Sequence, residues 1–226
     1  MKHKLFSFIF LMMASLSVAR ASETQVDGIW YDFSDDNTAT VTYQGSSSME
    51  NMDEYSGSIK IPATVKYNNA TYTVTSIGEN AFSYCTDLKS VTLPKTVTSI
   101  GYGAFDGCSS LTSITIPKGV TCIEKLAFGN CSSLKSVTIP NTVKVIGLSA
   151  FANCTSLKSI SIPNGVTTIK SLAFSGCENL ISVTIPESVT SISVRAFSKC
   201  KSLSIKLPKS LEGIADVSDC LNVTYY

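Results

Sequence analysis

The chain has 226 residues, with 18 basic residues, 17 acidic residues and one histidine, and its net charge at neutral pH is +1. A nearly neutral chain does not have the excess of basic residues that is typical of nucleic-acid-binding proteins. The composition also gives no indication of a polybasic patch that would bind a membrane surface.

The first 21 residues have the three parts of a secretory signal peptide. Residues 2–4 are basic, residues 5–18 form an apolar run of about 14 residues, and residues 19–21 (Ala-Arg-Ala) form a small-x-small cleavage site. The apolar run is shorter than the roughly 20 residues that a membrane-spanning helix needs. We therefore expect cleavage after residue 21 and a secreted or cell-surface protein that is not inserted in a membrane.

Removal of the signal peptide also removes the only histidine, His3. It leaves 15 basic residues against 17 acidic ones, and Arg195 as the single arginine. A chain without histidine has no Ser-His-Asp or Cys-His centre and no imidazole ligand for a metal. We therefore predict that the protein is not an enzyme and has no catalytic residues, no metal and no cofactor.

Residues 22–57 are predicted to form an N-terminal β-hairpin cap. The apolar runs GIWYDF (28–33) and TATVTY (38–43) flank the turn-forming sequence Asp35-Asp36-Asn37. An aromatic-rich hairpin at this place would cover the open edge of whatever structure follows.

A repeat of 23 residues occupies most of the remaining chain. Its unit is A-F-x-x-C-x-x-L-x-x-V/I-x-I/L-P-x-x-V-x-x-I. The phenylalanines and cysteines that recur at this spacing are Phe82, Phe105, Phe128, Phe151, Phe174, Phe197, Cys85, Cys108, Cys131, Cys154, Cys177 and Cys200. The L-x-x-I-x-I pattern beside a cysteine is the leucine-rich-repeat signature. A coil of such a solenoid buries its apolar edge only by stacking on its neighbours.

The parts of one coil follow from the spacing of its apolar residues. Phe82, Cys85 and Leu88 are three residues apart, which indicates a tight turn of the 3₁₀ type. The alternation in the segment 91–93 predicts a short strand whose apolar side chains point inward. Gly101 follows a second short apolar segment, and we expect it to supply the backbone freedom needed at a corner. The predicted fold class is therefore a β-rich leucine-rich repeat solenoid of the α/β type, with short strands and 3₁₀ turns.

The two ends of the solenoid differ from its middle. The solenoid is predicted over residues 58–216, and its first repeat contains an inserted hairpin at residues 65–73 with a turn at Asn68-Asn69. Residues 217–226 are predicted to be a degenerate C-terminal cap, since Val217 and Cys220 stand where the phenylalanine and cysteine of a further unit would be.

The repeat unit resembles the BspA-like branch of bacterial leucine-rich repeats. The runs VDGIWYDFSDDNTATVTY (26–43) and TVTSIGENAFSYC (73–85) also resemble segments of that family. The resemblance covers about 58–226 as repeats and 26–57 as a cap. It implies a curved solenoid, export to the cell surface or beyond, and adhesion to proteins or other surfaces without implying one ligand.

The eight cysteines permit three interpretations. An even number in an exported chain suggests disulfides. Seven of them share one repeat position, however, and side chains in register on parallel rungs are about 4.8 Å apart, wider than the mean Cβ separation of about 3.8 Å in a disulfide. Zinc binding needs four converging ligands, which a linear column does not provide. Buried free thiols that pack as small apolar groups are therefore favoured over disulfides, and a zinc site is disfavoured most.

The carboxylate pairs are Asp35-Asp36 and Asp53-Glu54. Glycosidases need two carboxyl groups that face each other across a cleft. These pairs lie in polar, turn-like segments, so a solvated role is favoured over catalysis, and calcium binding at residues 34–37 is only weakly indicated because the EF-hand spacing is missing.

The outward positions of the predicted strands form the candidate binding surface. They carry two columns of hydroxyl residues: Ser90, Thr92, Ser113, Thr115, Ser136, Thr138, Ser159, Ser161, Ser182 and Thr184. Serine and threonine can also occupy solvent-facing positions of a strand without having any binding role. A regular face nevertheless suits an extended partner on which many weak contacts add. We therefore predict an adhesin-like module that recognises an extracellular host protein, or alternatively a carbohydrate or another surface, with an oligomeric state that the sequence leaves open.

Overall fold

The structure is a computed structural model that describes residues 24–44, 54–213 and 215–226. The predicted signal peptide lies outside these residues. The described part of the chain contains seventeen short strands, one 3₁₀ helix and no α-helix. This strand-rich structure confirms the predicted fold class, a β-rich leucine-rich repeat solenoid.

The strands are two to eight residues long and are numbered in chain order. They are β1 (Thr24–Val26), β2 (Ile29–Phe33), β3 (Thr38–Thr42), β4 (Gly57–Lys60), β5 (Thr64–Tyr67), β6 (Ala70–Ile77), β7 (Leu88–Thr92), β8 (Ser99–Ile100), β9 (Ser113–Thr115), β10 (Cys122–Ile123), β11 (Ser136–Thr138), β12 (Val145–Ile146), β13 (Thr168–Ile169), β14 (Ser182–Thr184), β15 (Ser191–Ile192), β16 (Ser204–Leu207) and β17 (Asn222–Tyr225). The 3₁₀ helix is Lys209–Leu211.

Each coil contributes to two parallel ladders. On one side β4 pairs with β7, β9 with β11, and β14 with β16 and then β17, while an isolated bridge joins Ser159 to Ser182. On the other side β6 pairs with β8, and β10, β12, β13 and β15 follow one another in register. We call these the front and back ladders.

The N-terminal strands cover the first coil. β1, β2 and β3 form an antiparallel meander, and β3 then pairs in parallel with β6, so the cap continues the back ladder. β5 and β6 form an antiparallel hairpin over residues 64–77 whose two-residue turn has positive φ at Asn68 and Asn69. Positive φ at both turn residues matches the twist of a tight hairpin, and asparagine tolerates it well.

The interior of the solenoid is a stack of identical side chains. The six repeat phenylalanines are fully buried, and neighbouring rings are nearly parallel, with centroids 5.0–5.4 Å apart and interplanar angles of 2–9°. Tyr55 extends this column at its N-terminal end, with its ring centroid 4.7 Å from that of Phe82. Because each ring contacts the coil before and after it, the phenylalanines stabilise the interfaces between coils.

The segment between the back and front ladders is a chain of tight turns. In the first full coil, backbone N–H groups donate to the carbonyl three residues earlier: Cys85 to Phe82 and Leu88 to Cys85, at 3.2 and 3.1 Å. Two residues in every coil have positive φ. The first set is Asn80, Gly103, Leu126, Ser149, Leu172 and Arg195, and the second is Tyr84, Gly107, Asn130, Asn153, Gly176 and Lys199.

The expectation that Gly101 supplies a special backbone conformation is wrong. Gly101 is not among the residues with positive φ. A Cβ at this position would instead lie 2.8 Å from the backbone nitrogen of Glu79 on the preceding coil. A close approach between coils therefore accounts for glycine here, whereas the left-handed conformation occurs at the two turn positions of each coil.

The last coil is closed by two aspartates. In the middle of the solenoid the N–H groups of the positive-φ residues donate to carbonyls of the next coil, as Tyr84 does to Asp106 at 2.7 Å. At the end, the N–H groups of Arg195 and Lys199 donate instead to the carboxylates of Asp216 and Asp219, at 3.1 and 2.9 Å. These side chains replace the carbonyl acceptors that a further coil would provide.

Candidate binding face

The strands of the front ladder place eight of the ten predicted hydroxyl residues on one surface. Ser159 joins them through its isolated bridge to Ser182, and Ser161 follows two residues later, outside any strand. In β9 and β11, Ser113 pairs with Ser136 and Thr115 with Thr138, while the inward residue between each pair packs in the core. Because side chains alternate along a strand and neighbouring strands stay in register, the two hydroxyl columns continue from coil to coil. We call the surface formed by Ser90, Thr92, Ser113, Thr115, Ser136, Thr138, Ser159, Ser161, Ser182 and Thr184 the front face.

Nine of these ten residues are exposed and one is half-buried. The half-buried residue is Ser90, whose hydroxyl donates a hydrogen bond to the hydroxyl of Ser58, with 2.9 Å between the oxygens. The structure therefore brings all ten predicted residues onto one solvent-facing surface. It also extends the columns at both ends, to Ser58 and Lys60 in β4 and to Ser204 and Lys206 in β16.

A groove of about 610 Å³ opens in the front face between β7 and β9. It is lined by the apolar residues Leu93, Ile116 and Pro117, by the four hydroxyl residues of the two strands, and by Lys95 and Lys118. This groove therefore combines apolar residues with hydroxyl groups and two exposed lysines.

A second groove, of about 400 Å³, lies on the opposite side of the hydroxyl columns. It is lined by Lys135, Ser156, Lys158 and Asn179. Lys135 and Lys158 directly precede the first hydroxyl residue of the front face in their coils, whereas Lys95 and Lys118 directly follow the proline of theirs. The front face is therefore bordered by a pair of lysines from adjacent coils on each side.

The six repeat cysteines lie inside, away from the front face. Five of them donate a hydrogen bond from Sγ to the carbonyl of the phenylalanine 26 residues earlier, at 3.0–3.2 Å; these are Cys108, Cys131, Cys154, Cys177 and Cys200. Burial raises the pKa of each of these thiols, to about 12 for Cys200. A thiol that is both buried and protonated is a poor nucleophile, so this column is structural in character.

The two remaining cysteines of the described chain are half-buried. Burial raises the pKa of Cys122 to about 11, with Glu124 adding to the effect, and burial with nearby aspartates raises the pKa of Cys220 to about 11. Neither thiol therefore has the lowered pKa that marks a reactive cysteine.

Asp36, one residue of the acidic pair in the turn between β2 and β3, stabilises that turn. The carboxylate of Asp36 accepts hydrogen bonds from the backbone N–H and the hydroxyl of Thr38, at 3.1 and 2.7 Å, and these bonds lower its pKa. This is the arrangement by which an aspartate stabilises a turn. The other pair includes Asp53, which lies outside the described residues.

Within residues 24–44, 54–213 and 215–226, no three histidine, cysteine or acidic side chains group so that they could hold a metal. The same residues include no helix with the length and apolar character needed to cross a bilayer.

Neither of the two grooves was predicted from the sequence, and Lys95 and Lys118, which follow the prolines, were not connected with the front face. The signal that identifies them is their fixed position in adjacent repeats, one residue after Pro94 and Pro117.

Comparisons with known proteins agree with this architecture. A family model described as a BspA type leucine rich repeat region matches residues 58–180 and 145–220, with six copies. No curated protein matches the chain.

Solved structures with a similar fold are bacterial leucine-rich repeat proteins. One from T. pallidum is 27% identical, with a TM-score of 0.58 over 81% of this chain and 91% of that one. Another, from Eubacterium ventriosum, is 24% identical, with a TM-score of 0.51 over 75% of this chain and 49% of that one.

Proposed function

Because the chain belongs to the BspA-type leucine-rich repeat family, we propose that it is a non-enzymatic module that acts outside the cell and binds an extended extracellular partner through the front face. The observation that carries this proposal is the register of the front ladder, which repeats the same outward hydroxyl pair from coil to coil.

The regularity of the face determines what kind of partner it suits. Neighbouring rungs of a parallel ladder are about 4.8 Å apart, so equivalent side chains recur at that interval along the solenoid. A surface with nearly identical coils carries little information for a unique small molecule. It suits a long partner on which several weak contacts act together.

An extracellular host protein is the first candidate partner, in an adhesin-like role. The signal peptide predicted over residues 1–21 and the family support a location at the cell surface or beyond. The front face offers a regular, exposed surface on which a second protein could dock.

A carbohydrate is the second candidate, and the chemistry of the grooves favours it specifically. The groove between β7 and β9 is lined by four hydroxyl residues together with apolar residues. Hydroxyl groups both donate and accept hydrogen bonds, as sugar hydroxyls do. A polysaccharide would also present the repetition that matches the coils.

Binding assays with a face variant test the proposal. The wild-type protein would be tested against immobilised extracellular-matrix proteins and against a glycan array. Replacement of Thr115, Thr138 and Ser161 by glutamate places bulky charged groups across three adjacent coils of the front face. We expect this triple variant to lose most of the binding of whichever partner is found.

The matched control places the same charges on the other side of the solenoid. Thr121, Thr167 and Thr190 are exposed residues next to the strands of the back ladder, and their replacement by glutamate adds the same three charges. Equal binding losses in the two triple variants, or unchanged binding in the front variant, would contradict the role of the front face.

A further inference from the structure

The lysines of the solenoid are concentrated beside the front face. Seven segments run from the residue before the outward serine of each coil to the residue after the proline that follows it. These front segments are residues 57–63, 89–95, 112–118, 135–141, 158–164, 181–187 and 203–209. They contain eight lysines and one acidic residue, Glu187, although the whole chain is almost neutral.

All eight lysines of the front segments are exposed; they are Lys60, Lys89, Lys95, Lys118, Lys135, Lys158, Lys206 and Lys209. The acidic residues lie mainly elsewhere in the sequence: residues 22–54 contain eight acidic residues and no basic one. The net charge of the protein therefore hides a basic surface on the solenoid and an acidic N-terminal cap. A concentrated field of one sign attracts a partner of the opposite sign.

Two lysine pairs define a path across this surface. Lys95 and Lys118 border the groove between β7 and β9 on one side of the hydroxyl columns, and Lys135 and Lys158 line the groove on the other side two coils further along. A chain that runs from the first pair to the second passes over the exposed hydroxyls of Thr115 and Ser136. It would meet ammonium groups at both ends and hydroxyl groups between them.

We propose that this surface binds an anionic polysaccharide, a polymer that carries carboxylate or sulfate groups on a backbone rich in hydroxyls. The inference rests on the proposed function, because it names the class of partner that the front face takes. Lysine ammonium groups pair with the anionic groups as compact point charges, and the serine and threonine hydroxyls hydrogen-bond the sugar hydroxyls.

The residues that are missing from the front segments favour this class over two others. The seven segments contain no aromatic residue and no arginine. Protein-binding hot spots are enriched in tryptophan, tyrosine and arginine, so the composition favours a protein partner less. A neutral glycan would find no aromatic side chains on this surface to supply apolar contact area. It would also leave the lysines without a binding role.

Binding to defined polymers tests this inference. The probes are heparin, which carries sulfates and carboxylates, polygalacturonate, which carries carboxylates alone, and neutral dextran of matched length. We expect the wild-type protein to bind heparin, polygalacturonate or both, and to bind dextran far more weakly. Binding should weaken between about 50 mM and about 500 mM salt, because screening at high salt reduces the attraction of exposed charges.

A pair of charge-matched variants locates the binding surface. Replacement of Lys95 and Lys118 by glutamate reverses one lysine pair, and replacement of Lys144 and Lys170 by glutamate makes the same change next to β12 and β13 of the back ladder. We expect the front variant to raise the Kd for the anionic polymer by at least about tenfold, since it replaces attraction by repulsion. The back variant should change the Kd less than about twofold.

Three results would overturn the inference: equal losses in the two variants, equal binding of dextran, or no binding of either anionic polymer by the wild-type protein. In each case the triple threonine and serine variant still tests the proposed function separately. Capture of a host protein that this variant loses would leave the front face as the binding surface and make only the polysaccharide assignment wrong.

Discussion

The thiol of Cys131 donates a hydrogen bond to the backbone carbonyl of Phe105, with 3.1 Å between Sγ and O, and both side chains are fully buried. The same carbonyl also accepts the N–H of Cys108 at 3.2 Å. The cysteine of one coil is thus bonded to the turn of the coil before it, while it fills the space beside the phenylalanine stack.

Replacement of Cys131 by alanine should lower the free energy of unfolding by about 1–3 kcal/mol, because it leaves a small cavity and removes one buried hydrogen bond. Chemical denaturation followed by circular dichroism measures this change. Cys122 is half-buried and provides the control, since its replacement by alanine should cost less than about 0.5 kcal/mol. Equal losses at the two positions would contradict a special role for the buried column.

The thiols should differ in their reaction with iodoacetamide in the native state. Cys122 and Cys220 are half-buried and have pKa values raised to about 11. Only about one in a thousand of these groups is a thiolate at pH 8, so labelling should be slow and should accelerate about tenfold per pH unit between pH 7 and pH 9. The six buried thiols should react only after unfolding. Mass spectrometry of labelled peptides identifies each site.

Titration of the thiols in protein unfolded without a reducing agent distinguishes free cysteines from disulfides. We predict that most of the eight cysteines are then titrated, because a column in register along parallel rungs does not match disulfide geometry. Fewer than two free thiols would contradict this prediction and would make disulfides between neighbouring coils the better interpretation.

Tyr55 joins the N-terminal cap to the phenylalanine stack. Its hydroxyl donates to the carbonyl of Thr42 at 2.8 Å and accepts the N–H of Trp30 at 3.0 Å, while its ring packs on Phe82. Replacement by phenylalanine keeps the ring and removes both hydrogen bonds. We expect a loss of about 1–3 kcal/mol in the free energy of unfolding, because buried backbone groups lose their partner.

The exposed residue Tyr102 provides the control for this prediction. Its replacement by phenylalanine keeps the ring that faces the Lys125 ammonium group and should leave stability almost unchanged. Hydrogen exchange of β2 and β3 adds a local measurement, since these strands should lose protection only in the Tyr55 variant. Unchanged exchange in that variant would contradict the proposed link between the cap and the solenoid.

The interior could be predicted from the sequence because its residues recur at a constant period. Phe105 and Cys108 stand in the same relation to Leu111 as Phe82 and Cys85 do to Leu88, so one coil predicts the next. Tyr55 escaped prediction because it precedes Phe82 by 27 residues, outside the 23-residue period.

The positions with positive φ could not be predicted from the sequence either, for a different reason. Asparagine and glycine indicate positive φ, but the same positions are taken by Leu126, Leu172 and Arg195, which disfavour it locally. The N–H of Leu126 donates to the carbonyl of Leu148 on the next coil at 3.0 Å. Contacts between coils therefore fix a conformation that the local sequence does not indicate.

The positive charge of the front segments was not predicted from the sequence, for a third reason. Net charge averages over the chain, and the acidic residues before residue 55 offset the lysines of the solenoid. The clustering of lysines becomes apparent only when residues are grouped by their position in the coil, and this grouping depends on knowing the register of the strands.

Asp216 closes the last coil of the solenoid. Its carboxylate accepts the N–H of Arg195 and the hydroxyl of Ser218, and these hydrogen bonds lower its pKa. A carboxyl group whose pKa is lowered by folding stabilises the folded state above its unfolded pKa of about 3.9, and this contribution is lost as the pH falls through the folded value. Replacement of Asp216 by alanine should therefore lower the Tm at pH 7 by about 2–4 °C, and by less at pH 3.

Thermal unfolding followed by circular dichroism at both pH values measures this difference. Asp35 is an exposed aspartate in the turn between β2 and β3, and its replacement by alanine removes the same charge without opening the last coil. A loss at Asp216 that is as large at pH 3 as at pH 7 would show that the carboxylate form is not needed. A loss that the Asp35 variant reproduces would assign the effect to net charge. A loss confined to Asp216 and to neutral pH would establish that this side chain stands in for the carbonyl acceptor of a further coil.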